Sequence, residues 1–372
     1  MKILLAPDSF KDSLSATEVC QALENGIHQV LPNAQITTIP MADGGEGTIA
    51  TLIEFQNGRI VELEASDPLG KKIRSSYGVV DQTAIIEMAR VSGLELLSLE
   101  ERNPLKTSTF GTGELIKDAL DRGCRDFIIG IGGSATNDGG TGMLQALGAN
   151  FLDSDGNNIL VKGENLREIQ EIGVSQLDPR IKDSKIQAAC DVSNPLLGSN
   201  GASHVFAPQK GADDKMVEAL ENGLTHFSKK TFELFEQDFS NIPGAGAAGG
   251  IGFGLMAYLG AELKSGFDII AEWVGLEKEI QKADLIITGE GKIDEQSRLG
   301  KVPWGVAQWA KKYGKPVICI SGQKGEVGEI EKDFEGIYSL MEEGMDLEFA
   351  KENAPRLLEE KVKTVMEQIL GK

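Results

Sequence analysis

The apolar and polar positions of the chain follow a repeating order: a short apolar run, a loop rich in glycine and acidic residues, and a helical pattern. Residues 2–6 and 35–39 are the first two apolar runs, and Ser15 with Glu18 forms a capping-box pattern that predicts a helix from about Ser15. Further runs of this kind lie at 126–131, 185–190, 284–288 and 316–320. Strands that alternate with helices in this way predict parallel sheets that bind ligands at the carboxyl ends of their strands.

The middle of the chain departs from this order. Between residues 59 and 88, three apolar runs follow one another with few helical signals, which is typical of antiparallel strands. A chain of 372 residues also exceeds the size of a single ordinary core. We therefore predict an α/β fold of two lobes with largely parallel sheets. One lobe is discontinuous and consists of residues 1–70 and 265–372, and residues 71–264 form an inserted α/β lobe with a glycine-rich phosphate loop.

The helical patterns of the second half predict one long amphipathic helix within 213–239 and a final helix over about 346–370. Between them, residues 242–261 carry no charge, and three of their seven glycines have the spacing of a membrane-helix dimer face. Glycine lowers both hydrophobicity and helix preference, so this stretch predicts a buried glycine-rich loop that runs into a core helix.

The charge of the chain excludes some classes of partner. It has 37 basic against 57 acidic residues and a net charge of -20 at pH 7. Nucleic acids and anionic membranes are bound mainly by positive surfaces, so we expect neither as a partner. An anionic substrate must then be met by a few placed cations or by a metal ion.

The cysteines and histidines predict neither a disulfide framework nor a metal site of their own. The cysteines lie far apart without a C-x-x-C pair, and the three histidines have no metal-binding spacing. Free thiols suit a reducing compartment, and the apolar run that ends at Pro7 is typical of a first strand, not of a signal peptide. We therefore expect a cytoplasmic protein. The cysteines are Cys20, Cys124, Cys190 and Cys319.

The loop at 132–140 is the most informative segment for chemistry. Its small residues allow backbone amides to approach a ligand, and a following helix start favours negative charge, which suits a phosphate. Its hydroxyl and amide side chains add hydrogen-bond donors, and Asp138 could hold a metal ion. The same residues would also suit a tight strand-to-helix turn. The predicted phosphate-binding residues are Gly132, Gly133, Ser134, Ala135, Thr136 and Asn137.

A dinucleotide-binding loop is a rival interpretation of the same segment. Gly130, Gly132 and Ala135 match Gly-x-Gly-x-x-Ala after a strand, and Asp153 follows about twenty residues later. This match predicts an NAD(P)-dependent oxidoreductase. Asp138 argues against it, because a carboxylate beside a pyrophosphate needs a metal ion between them. The sequence contains neither the P-loop motif nor the protein-kinase motifs.

Acidic residues follow most of the apolar runs, and lysines lie in comparable loops. One such acid is usually a helix cap or a turn former, and a single lysine is usually solvated. Phosphoryl transfer, however, needs a divalent cation, a base or positioning group, and cations on the developing charge. A small-molecule phosphotransferase therefore explains the whole set best. The acids are Asp8, Asp43, Glu46, Asp191, Glu290 and Asp294, and the lysines are Lys11, Lys210 and Lys292.

Several long and unusual segments carry a family resemblance. Among them are APDSFKDSLSA at 6–16, PMADGGEGT at 40–48, GIGGSATNDGGTGMLQALG at 130–148, ACDVSNPLLG at 189–198 and ITGEGKIDEQS at 287–297. On these segments the chain resembles the bacterial type (type 1) of glycerate kinase, nearly from end to end. Asp12 departs from the pattern, since glycine is expected there.

The resemblance implies a two-domain α/β enzyme with its active site in the cleft between the lobes. It further implies phosphorylation of D-glycerate by ATP with Mg²⁺, and it favours the 2-position over the 3-position. It does not identify a catalytic base.

On this basis we predict a role for each candidate residue. The loop at 132–137 binds the ATP phosphates, and Mg²⁺ is held by Asp138, Glu290 and Asp294, with Asp43 as a further candidate. Asp191 orients or deprotonates the glycerate hydroxyl. Lys11, Arg90 and Lys210 contact the glycerate carboxylate or the transferring phosphoryl group, and Ser9 and Asp43 are further candidates for substrate binding. Besides the oxidoreductase, a non-catalytic sensor of glycerate or nucleotide stays open as an alternative.

Overall fold

Strands and helices alternate through most of the chain. A computed structural model describes residues 1–44, 48–298, 300–342 and 344–371. Its sheets are largely parallel, which confirms the predicted α/β class. Glu46, one of the predicted acidic loop residues, lies outside the described residues.

The strands are β1 (Lys2–Leu5), β2 (Gln35–Thr38), β3 (Arg59–Ser66), β4 (Lys72–Val80), β5 (Thr83–Glu87), β6 (Asp126–Gly130), β7 (Asn150–Leu152), β8 (Glu171–Gly173), β9 (Lys185–Ala189), β10 (Glu262–Lys264), β11 (Leu285–Thr288), β12 (Lys292–Ile293), β13 (Val317–Ser321), β14 (Gln323–Lys324) and β15 (Gly336–Ser339). The α-helices are α1 (Ala16–Val30), α2 (Thr48–Gln56), α3 (Ala89–Ser92), α4 (Phe110–Asp121), α5 (Thr141–Ala146), α6 (Ala202–Phe206), α7 (Asp214–Phe235), α8 (Ala247–Leu259), α9 (Gly266–Trp273), α10 (Leu276–Lys282), α11 (Val302–Lys312), α12 (Leu347–Glu352) and α13 (Ala354–Ile369). Short 3-10 helices cover Leu94–Leu96, Gly163–Glu168, Pro179–Asp183, Pro208–Lys210, Glu295–Arg298 and Gly328–Asp333.

The chain divides into two compact units. Unit 1 comprises Met1–Asp43, Ala50–Asn57 and Ser265–Lys372, and unit 2 comprises Gly44–Ile49 and Gly58–Lys264. Residues 58–70, which the sequence assigns to the first lobe, lie in unit 2. The reason is that β3 pairs along its whole length with β4, a long-range contact that the local pattern does not reveal.

The sheet of unit 1 has the parallel order β15-β13-β11-β1-β2. From β1 the chain passes to β2 on one side, whereas β11 leads to β13 and β15 on the other side. The order of the strands therefore reverses between β1 and β11. In open α/β sheets, ligands bind beyond the carboxyl ends of the strands at such a switch point.

Two helices of unit 1 pack closely against one another. The capping box predicted at Ser15 and Glu18 is present at the start of α1, and the apolar face of α1 packs on α13. The predicted helix over 346–370 is wrong in one respect, because it is divided into α12 and α13. Pro355 lies in the first turn of α13, and it has no amide hydrogen to continue the hydrogen bonds of α12.

Unit 2 contains a sheet of the order β10-β9-β6-β5-β4-β3. The pairs of β5, β6, β9 and β10 are parallel, and the pairs of β3, β4 and β5 are antiparallel, as the pattern between residues 59 and 88 predicts. The glycine-rich stretch after residue 242 leads into the buried helix α8, which confirms that prediction. No helix among the described residues is long and apolar enough to cross a membrane.

The close contact between α1 and α13 predicts how the addition of a methyl group at Gly26 changes stability. A Cβ atom at Gly26 would lie 2.4 Å from Cγ1 of Val362 and 2.5 Å from the carbonyl oxygen of Glu359. Alanine normally stabilises a helix relative to glycine. Here we expect Gly26→Ala to lower the free energy of unfolding by about 1–3 kcal/mol, because the core has no room for the methyl group.

Urea unfolding measures this change, and Gln29→Ala is the control. Gln29 is exposed on the same helix, so its replacement should change stability little. If Gly26→Ala stabilises the protein, the close packing of α1 on α13 is contradicted.

Candidate active site

A cavity of about 370 Å³ lies in unit 1, beyond the carboxyl ends of β1, β11 and β13. This is the switch point of the sheet, where a ligand is expected. Most of the charged and polar side chains along its lining form what we call the polar wall. The others are Asp12, Ser13 and Lys351, which contact one another at α12. The polar wall consists of Asp8, Ser9, Lys11, Asp43, Glu290, Lys292, Lys301 and Gln323. The structure thus brings together Ser9, Lys11, Asp43 and Glu290, which the sequence selected separately.

Asp8 follows β1 and has an unusual affinity for protons. Burial, the neighbouring carboxylate of Asp43 and, more weakly, Glu290 raise the pKa of Asp8 to about 7. The amide of Ser9 donates a 2.6 Å hydrogen bond to Asp8 Oδ1, and Lys11 also favours the charged form. Asp8 is therefore poised to exchange a proton or to accept a cation near neutral pH.

Glu290 follows β11 and faces the same cavity. Its side chain is almost fully buried, and burial raises its pKa. Ser297 Oγ donates a 2.5 Å hydrogen bond to Glu290 Oε1, and Lys301 Nζ lies 3.1 Å from Oε2. By contrast, Asp294 is paired with Lys292 at 3.1 Å and is not among the cavity-lining residues.

The acids of the polar wall can complete the coordination of a phosphate-bound Mg²⁺ ion. The described part of the chain contains no group of three or more His, Cys, Asp or Glu side chains placed to hold a metal ion. Mg²⁺ is usually held by one or two carboxylates together with waters and the phosphates of a substrate. Asp8, Asp43 and Glu290 line one cavity, so one or two of them can hold a phosphate-bound Mg²⁺ ion in this way.

The glycine-rich loop of unit 2 is mostly buried. Among the six predicted phosphate-binding residues, Gly132 and Gly133 are exposed, whereas Ser134 through Asn137 are between 0% and 7% exposed. Thr107 Oγ1 donates to the carbonyl of Ala135, and the amide of Ala135 donates to Ser92. The buried part of the loop is therefore fixed to the interior of unit 2.

Asp138 has a structural role in this loop. Its fully buried carboxylate accepts hydrogen bonds from the amide and hydroxyl of Thr109 at 2.9 and 2.8 Å. The amides of Gly140 and Gly142 donate to it at 3.2 Å each. Burial raises the pKa of Asp138, and these donors counteract the effect. Since the carboxylate joins the starts of α4 and α5, we do not include it among the metal ligands that we propose.

Lys210 forms hydrogen bonds with the buried part of this loop. It is 1% exposed, and its Nζ donates 2.7 Å hydrogen bonds to Ser134 Oγ and to the carbonyl of Thr136. Burial lowers the pKa of Lys210 to about 7, although Asp138 counteracts it. Thr136 Oγ1 and Asn137 Oδ1 are buried without a hydrogen-bond partner. The buried ammonium thus stabilises the conformation of the loop.

Arg90 and Asp191 follow the carboxyl ends of two interior strands of the unit 2 sheet. Arg90 follows β5, and its Nε donates a 2.7 Å hydrogen bond to the buried Glu87, which fixes the guanidinium. Glu87 also accepts from the amide of Ile49. Asp191 is exposed, two residues beyond the end of β9.

The dinucleotide interpretation does not fit the local geometry. A Gly-x-Gly-x-x-Ala site needs a helix that starts within the motif, but α5 starts only at Thr141. Asp153, the predicted ribose ligand, accepts hydrogen bonds from the amides of Asp155 and Asn157 within its own turn.

The sequence did not predict that Lys301 and Gln323 line the cavity, or that Glu87 accepts a hydrogen bond from Arg90. Lys301 precedes the proline-containing first turn of α11, and Gln323 follows β13. The segment ITGEGKIDEQS and the apolar run at 316–320 are visible in the sequence, but the side chains that line the cavity depend on which loops meet. Only the strand order provides that information.

Known proteins match this chain over nearly its whole length. A model of the glycerate kinase family matches residues 3–370. Glycerate 2-kinase of Escherichia coli (strain K12) is 53% identical over 324 residues, which cover 87% of this chain and 85% of that protein. Glycerate kinase of Bacillus subtilis (strain 168) is 46% identical over 373 residues, which cover 99% of this chain and 98% of that protein.

A solved structure agrees in fold. The crystal structure of a proposed glycerate kinase 2 from Salmonella typhimurium LT2 matches with a TM-score of 0.92 and 45% sequence identity. The match covers 100% of this chain and 98% of that chain. The chain therefore belongs to the glycerate kinase family, and it is a kinase.

Proposed function

We propose that the chain transfers the γ-phosphoryl group of ATP to the 2-hydroxyl of D-glycerate in the presence of Mg²⁺. The family membership supports the substrates, and the name of the relative from E. coli supports the 2-position. The structural observation that carries the proposal is the polar wall, where carboxylates and lysines meet at the switch point of unit 1. Phosphoryl transfer needs this combination of groups.

The polar wall suits the phosphates of ATP. One or two of Asp8, Asp43 and Glu290 would hold Mg²⁺ together with phosphate oxygens, and the ion would neutralise the charge on the transferring group. Lys11 and Lys301 line the same cavity and can stabilise negative charge on the phosphates. Ser9, beside Asp8, adds a hydroxyl that can bind the same group.

The proposed contacts to glycerate lie in unit 2. Arg90 presents a fixed guanidinium whose side chain is 40% exposed, and such a group binds carboxylates in a defined orientation. Gly132 and Gly133 offer exposed backbone to an anionic group. We propose Asp191 as the residue that accepts the hydroxyl proton, and Lys210 as a residue that positions the loop without touching substrate.

We also propose that the reaction takes place in the cytoplasm. Each of the four cysteines is free, which suits a reducing compartment. The oxidoreductase alternative lacks support, because neither the helix start nor Asp153 fits a dinucleotide. A sensor would not need a base or a metal site.

An assay with ATP, MgCl₂ and D-glycerate tests the proposal. Phosphorus NMR of the product should show a 2-phosphate ester, and omission of Mg²⁺ should abolish turnover. Absence of a phosphate ester would refute the kinase function, and a 3-phosphate ester would refute the proposed acceptor. NADH oxidation without Mg²⁺ would favour the oxidoreductase.

The raised pKa of Asp8 predicts how nucleotide binding depends on pH. Asp8 is largely protonated below its pKa of about 7 and must lose the proton to bind a cation. Binding of Mg-ATP should therefore release protons near pH 7 and become tighter from about pH 6 to about pH 8. Calorimetry in buffers of different ionisation enthalpy measures the proton release, which Asp8→Asn should remove.

Asp138→Asn is the control for this experiment. Its carboxylate caps helices in unit 2, so the substitution should lower the melting temperature and leave the proton release unchanged. Equal proton release from the wild type and from Asp8→Asn would exclude Asp8 from the cation site.

The proposed base predicts a specific kinetic defect. Asp191→Asn keeps the shape of the side chain but removes the proton acceptor, so kcat should fall by about 10²–10⁴-fold. The affinities for ATP and glycerate should change little, because the interaction is made in the transition state. Steady-state kinetics measures both, with Asp153→Asn, in an exposed turn of the same unit, as the matched control. A kcat within a few-fold of the wild type would exclude Asp191 as the base.

A further inference from the structure

The unit 1 cavity has a second side with a different chemistry. In contrast to the polar wall, this side is lined by apolar residues. They come from the loop after β1, from the residues that follow β15, and from α12 and α13. Phe10 and Leu340 are each 3% exposed, and Ala350 is 7% exposed. We call this side the apolar wall. It consists of Phe10, Leu340, Met341, Leu347, Ala350 and Ala354.

Size and chemistry distinguish between the two substrates of the proposed reaction. Glycerate has three carbons, each bonded to oxygen, and so offers no apolar surface to such a wall. A nucleoside has a flat base with apolar faces. The cavity, of about 370 Å³, falls within the range of volumes of pockets that bury small organic ligands. The apolar wall therefore suits the base of the nucleotide.

The strand order separates the β15 end of the apolar wall from the acidic residues of the polar wall. Leu340 and Met341 follow β15, and their amides donate to the carbonyls of Ser321 and Gly322 at the end of β13. Asp8 and Glu290 follow β1 and β11. Since β15 lies three strand positions from β1, the separation across the sheet is about 14 Å. An extended nucleotide can span it, with its base at β15 and its phosphates at β1.

Charge supports the same orientation. Lys11, Lys292 and Lys301 line the cavity together with the carboxylates proposed to hold Mg²⁺. These groups complement a metal-bound triphosphate and lie on the polar wall. On the side of α12, Lys351 also lines the cavity, but its Nζ lies 3.7 Å from Asp12 and 3.8 Å from Glu348. The cavity thus has one polar and one apolar part, as a nucleotide has.

We propose that unit 1 binds the nucleotide, with the nucleoside against the apolar wall and the phosphates directed to the polar wall. The inference rests on the proposed function, because ATP is taken as the phosphoryl donor. It moves the nucleotide from the predicted loop at 132–137, of which Ser134 through Asn137 are buried, to the switch point of the other sheet.

Isothermal titration calorimetry with three probes tests this placement: Mg-ATP, adenosine and Mg-tripolyphosphate. Ala350→Leu extends a side chain into the apolar part of the cavity. We expect it to raise the Kd of Mg-ATP and of adenosine by roughly tenfold or more, through loss of the buried apolar contacts, and to leave tripolyphosphate binding nearly unchanged. Glu352→Leu is the matched control, because it places the same side chain at an exposed position of α12, outside the cavity lining.

Met341→Ala is a second variant that removes bulk and so cannot block the cavity. It should weaken the same two ligands by a smaller factor, roughly two- to fivefold. Thermal melting of each variant checks that the protein is folded.

The outcomes separate this inference from the proposed function. Unchanged Kd values for adenosine and Mg-ATP in the folded Met341→Ala and Ala350→Leu variants would overturn the inference. Weakening of tripolyphosphate alone would also overturn it. Absence of any phosphate ester from the wild type would refute the proposed function, but binding of adenosine that responds to Ala350→Leu would still support the nucleoside site.

Discussion

The parallel pairing of β1 with β11 is the constraint on which unit 1 depends. It aligns Ile3 with Leu285, residues from opposite ends of the chain. The pairing continues beyond the strands, where the amide of Asp8 donates to the carbonyl of Gly289 at 2.8 Å. A side chain at position 289 would meet the carbonyl of Ile320 at 2.0 Å, so glycine allows the three strand ends to lie this close. This contact sets the acid-bearing loops side by side and creates the switch point.

That arrangement has an electrostatic cost, which explains the chemistry of the cavity. In a chain of net charge -20, Asp8, Asp43 and Glu290 repel one another, and burial adds to the effect. The repulsion is relieved by a proton, by a cation or by lysines such as Lys301, which lies 3.1 Å from Glu290. A metal-bound phosphate supplies the cation together with the group to be transferred. The cavity should therefore favour such a complex over a free phosphate.

Local patterns in the sequence identified most strands, because a buried strand is recognisable from its own residues. They could not assign β3 to its unit, since that depends on pairing with β4. They also could not predict that Lys210 is buried, because a lysine is usually solvated and only the folded loop places Ser134 and Thr136 around it. Nor does the sequence predict the apolar wall, because Leu340 and Ala350 have the pattern of ordinary core residues. Polar residues in the loops that follow buried strands were recognisable from the sequence, whereas contacts between distant loops were not.

The two glycine-rich regions of unit 2 show why a motif alone is ambiguous. A Cβ atom at Gly249 would lie 1.9 Å from the carbonyl of Thr136, and the amide of Gly139 donates to Gly249. Glycines in each region therefore serve the close packing of one against the other. Asp138 and Lys210 then fix the loop through buried hydrogen bonds, and only Gly132 and Gly133 of its residues stay exposed. In unit 1, by contrast, Gly291 and Gly322 line a cavity. The same sequence signature thus forms a packed loop in one unit and the lining of an open cavity in the other, and burial distinguishes the two.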